Sequence, residues 1–217
     1  VLSGMGTALK AAAAATAAAV AGAATAIGAL TTKAIEGYAA QEQLVGGVET
    51  LFKTSSDTVV GYANDAYKTA GMSANEYMET VTSFSASLLA SMNNDTAAAA
   101  EKANVAITDM SDNANKMGTD ISLIQNAYNG FAKQNYTMLD NLKLGYGGTK
   151  EEMQRLLDDA SKLSGIKYDI SSYSDVVDAI HVVQTEMGIT GTTAKEASTT
   201  IEGLSLIHIS EPTRQAE

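Results

Sequence analysis

The chain has 217 residues, enough for one domain or two small ones with a real core. It sets 25 acidic residues against 14 Lys and Arg, a formal charge of −11, and it holds no basic run and no aromatic–basic interleaving. That excludes a surface of clustered cations for displacing counterions from a phosphate backbone. The absence of Cys excludes disulfides and thiolate metal sites, and leaves the redox compartment open.

The first segment is almost continuous helix former. Between residues 11 and 30, thirteen of twenty residues are Ala and none is charged. About 20 apolar residues suffice to cross a bilayer. Ala gains little on that transfer, however, and only Val20, Ile27 and Leu30 here are strongly apolar. The expectation is therefore a long helix in water or enclosed in a tube, over residues 1–46. Ala18, Gly22 and Ala26 would let a second helix approach it closely. The Val45–Gly47 stretch "VGG" is expected to break it.

From Ser55 onward the sequence predicts shorter amphipathic helices, each with a start signal, an apolar stripe and a stop. Ser56 or Asp57 is expected to cap a helix with the stripe Val60, Ala63, Tyr67 and Ala70, ended by Gly71. Ser73 and Glu76 form a capping box for a helix whose stripe is Tyr77, Val81, Phe84, Leu88 and Met92. A restart after Asn94 carries Ala103, Ala106, Ile107, Met110, Ala114 and Met117, and Gly118 closes it. Ile121, Ile124, Tyr128 and Phe131 mark the next helix. A weaker segment then leads into "GYGG", and a second capping box, Thr149 with Glu152, opens a helix that buries Met153, Leu156, Leu157, Ala160 and Leu163 up to Gly165. Val176, Val177, Ile180, Val183 and Met187 repeat at helical spacing before Gly188, and Thr193 with Glu196 begins a last helix. Outside the last fourteen residues no segment alternates as a strand does. The fold class is all-α: a long Ala-rich N-terminal helix followed by an irregular bundle of short amphipathic helices over 47–203.

Residues that could carry chemistry are few. "GYGGTK" at 145–150 lacks the strand and the Gly-Lys-Ser/Thr order of a phosphate loop, and reads as a flexible connector feeding the Thr149 cap. His181 borders an apolar stripe with Asp178 three residues before it; without a second His or any Cys nearby it reads as a half-buried, hydrogen-bonded ring. Adjacent carboxylates, Asp158–Asp159 and Glu151–Glu152, point about 100° apart on a helix and do not face one another. The scattered Met residues read as core filling. No catalytic, cofactor-binding or metal-binding residue is assigned, no cofactor is expected, and the expectation is a protein that is not an enzyme.

Several long phrases resemble one family. "AYKTAGMSANEYMETVTSFSASLL" (Ala66–Leu89), "DMSDNANKMGTDISLIQNAYNGFAKQNYTMLDNLKLGYGGTKEEMQRLL" (Asp109–Leu157), "GITGTTAKEASTTIEG" and "YAAQEQLVGGVETLF" (Tyr38–Phe52) are similar to tail tape measure proteins of long-tailed bacteriophages. The likeness runs from about Lys33 to Gly203. It implies a structural protein of the N-terminal part of that family, which sets tail length because an extended helix advances about 1.5 Å per residue. It also implies a role in tail assembly and in DNA ejection. The implied partners are tail tube and tail assembly chaperone proteins, with self-association, contact with the host membrane during ejection, and no sequence-specific nucleic acid binding. The implied location is the tail lumen of the virion, and the host cytoplasm during assembly. The alternative is a membrane-active helical protein working through residues 11–30.

The last fourteen residues, "LSLIHISEPTRQAE", hold the chain's one Pro, Pro212, with Arg214, His208 and a crowd of large aliphatics. Leu204–Arg214 resembles the translation of a common transposase-based sequencing-library adapter, so residues 204–217 are expected to be an artefact with no part in function. With Val1 at the other end, the chain reads as a fragment. Recovering the gene from adapter-trimmed reads should give a frame that continues past Gly203 with different residues; the same eleven residues in independent isolates would refute this.

Overall fold

The structure is a computed structural model that describes residues 41–199. The expectations for the Ala-rich segment up to residue 40, including 11–30, and for residues 200–217 lie outside the described residues. The chain divides into two units, Val1–Gln43 and Leu44–Glu217, and the account below concerns the second.

Every regular element among the described residues is helical. Residues 41–52 are helical (α1). Seven further helices follow: α2 (Ser56–Thr69), α3 (Ala74–Ser91), α4 (Thr96–Met117), α5 (Ile121–Phe131), α6 (Lys150–Ser164), α7 (Tyr173–Glu186) and α8 (Thr192–Ala197). Short 3₁₀ turns occupy Lys53–Ser55 and Leu139–Leu142. The all-α class is as the sequence predicts.

Helix α4 lies at the centre. It touches α2, α3, α5, α7, α8 and both 3₁₀ turns, while α6 packs chiefly on α7. Its N-terminal half buries Ala99, Ala100, Ala103 and Ala106 completely. Such small side chains let several neighbours approach one helix at short range. The bulk comes from the neighbours: Phe52, Tyr77, Phe84 and Leu88 on one side, Ile124, Tyr128 and Phe131 on another. Phe84 meets the edge of Tyr173 on α7 at 6.3 Å, and Tyr128 packs 5.8 Å from Phe131 within α5, centroid to centroid.

Most start and stop signals act as read. The Ser73 hydroxyl accepts from the Glu76 N–H, and the Glu76 carboxylate accepts from the Ser73 N–H at 2.8 Å, a complete capping box. The Asp95 carboxylate caps α4 by accepting from Ala97 and Ala98. Gly118 and Gly165 end α4 and α6 at φ +61° and +74°, where a side chain would be strained.

Besides the start of α8, which falls at Thr192 after Gly191 with no side-chain cap of its own rather than at Thr193 with Glu196, four expectations need correction. The "VGG" stretch does not break its helix, which runs on to Phe52. Glycine in a helix costs about 1 kcal/mol, and full burial of Val48 and Phe52 just beyond offsets it. A β-carbon at Gly47 would sit 3.5 Å from Thr82 of α3, an ordinary packing contact. The break falls instead at Lys53, at φ +50°. Second, α2 begins at Ser56 without a side-chain cap, and its buried stripe is Val59, Ala63 and Ala66, with Val60 and Tyr67 beside it. Third, Leu163 and Met187 are 50% and 44% exposed, because each ends its helix where no neighbour covers it. Fourth, the Thr149–Glu152 box is half formed. Thr149 accepts from the Glu152 N–H, but the Glu152 carboxylate accepts from Gly147 at 3.0 Å.

That last difference fastens the "GYGG" loop. The Arg155 guanidinium lies 4.4 Å from the Tyr146 ring centroid and donates to the Gly145 carbonyl at 2.8 Å. The Tyr146 hydroxyl donates to Asp159 at 3.1 Å. Beneath the loop, a β-carbon on Gly148 would stand 2.2 Å from the Thr137 carbonyl oxygen, a backbone atom that cannot swing aside. Gly148→Ala should therefore lower stability by about 2 kcal/mol or more in urea unfolding. Gly61→Ala, in exposed mid-helix α2 with nothing within 4 Å, should raise it by about 0.5–1 kcal/mol. Equal effects from the two variants would contradict this reading of the loop.

Candidate functional site

The polar groups of interest cluster on α4, where the alanine face gives way to Asp109, Ser111, Asp112 and Asn113, all buried. A buried carboxylate is costly unless hydrogen-bonded, so each of these groups has a duty. The Asp112 carboxylate accepts from the Gly191 and Thr193 N–H groups at 2.6 and 2.8 Å. It caps α8 from a distant helix, doing for Gly191 what an N-cap side chain would do. Ser111 donates to the Ala70 carbonyl at 2.6 Å, closing the end of α2. The Asn113 amide donates to the Leu142 carbonyl at 3.0 Å and holds the second 3₁₀ turn.

His181 on α7 is half-buried and hydrogen-bonded, as its sequence setting suggests, but its partner is Asp109 rather than Asp178. The ring Nδ1 lies 3.0 and 2.9 Å from the two Asp109 oxygens, while Asp178 pairs with Lys102 across the same helix contact. Asp109 is missed by a reading that looks only within three or four residues. The available signal was an acidic residue three positions from Ala106, inside an otherwise apolar stripe. The hydrogen bond that the His181 ring donates to the Asp109 carboxylate raises the His181 pKa above its ordinary value, against partial burial. Burial raises the Asp109 carboxyl, against the ring.

The adjacent carboxylates diverge, as expected of helix neighbours. Asp158 accepts from Gln154, whereas Asp159 accepts from Tyr146 and Lys162. Met72, Met78, Met110 and Met153 fill the core. Among the described residues no group of three or more acidic or His side chains is placed to hold a metal ion.

The described residues also form an opening. A groove of about 600 Å³ lies where the ends of α2 and α4 meet α3, α5 and α8. Its lining includes Glu76, Glu79, Gln125, Asn126, Asn129 and Glu196. Sequence spacing could not assemble these residues, which come from three helices distant along the chain.

The His181–Asp109 contact has a definite pH signature. A histidine pKa raised on folding adds stability that is full below its ordinary value of 6.5 and is lost as pH climbs through the raised value. Asp109, also raised, gives the same sign at lower pH. Asp109→Asn should bring the His181 pKa down, to 6.5 or below, in an NMR titration assigned with His181→Gln. It should also flatten the fall in stability from pH 6.5 upward. An unchanged His181 pKa would show that Asp109 does not set it.

Compared with protein-family models, with curated proteins and with solved structures, the chain matches none.

Proposed function

We propose that this chain is a structural component of a long-tailed phage, part of a tape measure protein that sets tail length, takes part in tail assembly and accompanies DNA ejection. The observation that carries the reading is the sequence likeness, above all the unbroken phrase from Asp109 to Leu157. The helical build is compatible with it, and the buried polar groups Asp109, Ser111, Asp112 and Asn113 of α4 have identifiable structural duties: capping, closing helix ends and pairing helices. In this reading the protein acts by occupancy and shape, within the tail lumen and in the host cytoplasm during assembly. It meets tube and assembly-chaperone proteins, associates with itself, and contacts the host membrane on ejection.

Among the described residues no helix is long and apolar enough to cross a membrane, and residues 11–30, on which the membrane-active alternative turns, lie outside them. Mass spectrometry of purified tails from a phage encoding this gene should recover peptides from residues 44–199. Tails that assemble to normal length without those peptides would refute the proposal.

A further inference from the structure

The groove between α3, α4, α5 and α8 has chemistry that holding the fold does not require. Helix α5 presents Gln125, Asn126 and Asn129 to it, and α4 adds Asn115. Two of these carboxamides are partly committed: Gln125 Nε2 donates to Thr80 at 2.9 Å, and Asn129 Oδ1 accepts from Ser83 at 3.1 Å. The commitments orient both groups. They turn an amide oxygen of Gln125 and an amide nitrogen of Asn129 to other partners, one acceptor beside one donor. An extended peptide backbone offers the matching pattern of N–H and C=O groups.

The charge of the groove is one-sided. Glu79 from α3 and Glu196 from α8 line it with Glu76, which is tied to the Ser73 cap. Among the described residues no Lys, Arg or His lines it, and no cation pairs with Glu79 or Glu196. The overall charge of −11 adds a field that favours cations and repels anions. Among the described residues no aromatic ring lines the groove, so they offer no platform on which a sugar or a base could stack. Its volume of about 600 Å³ falls within the ordinary range of ligand sites.

We propose that this groove binds a short, extended, lysine-bearing segment of another protein. The carboxamides of α4 and α5 hold the segment's backbone, and Glu79 and Glu196 take its ammonium groups. The proposal does not depend on the tail reading.

The test uses the full chain and a fluorescein-labelled peptide of sequence GKGKG, followed by fluorescence anisotropy at low salt. Glu79, Asn126 and Glu196 are exposed, so their variants should fold, which circular dichroism checks. Glu79→Gln with Glu196→Gln should weaken binding about tenfold. Asn126→Ala, which leaves every charge in place, should weaken it about fivefold. Glu101→Gln with Asp140→Asn, an equal loss of charge outside the groove, should change it less than about twofold. Equal weakening by the two charge pairs would overturn the proposal, as would full binding by Asn126→Ala. So would displacement of the peptide by spermidine as readily as by unlabelled GKGKG, because each result means diffuse attraction of cations. No detectable binding by the unaltered chain overturns it too.

Discussion

The described fold depends on burying one helix, α4, from several sides at once. A helix surrounded in this way cannot spread large side chains in all directions, since its neighbours would be pushed apart. Ala99, Ala100, Ala103 and Ala106 meet that constraint by contributing almost no thickness. The neighbours then supply the apolar area, with Phe52, Phe84, Tyr128 and Phe131 among the largest buried side chains. The same constraint explains why so few large residues suffice in a chain with three Phe and no Trp.

The second half of α4 solves a different problem. Past Met110 its neighbours are helix ends and a 3₁₀ turn, and these bring unsatisfied N–H and C=O groups into the interior. An apolar face there would leave them unpaired at a cost of about 1–3 kcal/mol each. Ser111, Asp112 and Asn113 answer them one by one, at Ala70, at Gly191 with Thr193, and at Leu142. A buried carboxylate such as Asp112 therefore says more about the weakness of α8 than about catalysis. With six residues and no side-chain cap of its own, α8 would not hold as a helix in isolation.

How much of this was legible follows from the range of each interaction. Ser73 with Glu76 lies within one turn, and Gly118 and Gly165 act on their own φ angles, so these signals read directly. The stripe of α3 reads equally well, because Tyr77, Val81, Phe84 and Leu88 follow one helix period and all are buried. Expectations failed where a distant element decides. The helix passes through Gly46 and Gly47 because of what Val48 and Phe52 bury against, which local propensity does not contain. Leu163 is exposed because nothing packs over the end of α6, and Asp109 and Asp112 find partners more than seventy residues away. The groove belongs to the same class, since its walls are set by the angles at which α3, α5 and α8 cross α4.

The groove and the buried face of α4 also differ in kind. On the buried face, Ser111, Asp112 and Asn113 bond to backbone groups of the same chain, and these side chains are inaccessible. In the groove, Asn126, Glu79 and Glu196 stand exposed, while the half-buried Gln125 and Asn129 are oriented by Thr80 and Ser83. Polar groups held still at a surface lose little entropy when a partner arrives, the condition under which modest contacts yield specific binding. A groove of this kind needs helices packed closely enough to form its walls, and a polar surface along them. In this fold α4 supplies both requirements: its alanines bring the helices together, and its C-terminal end forms one wall of the opening they leave.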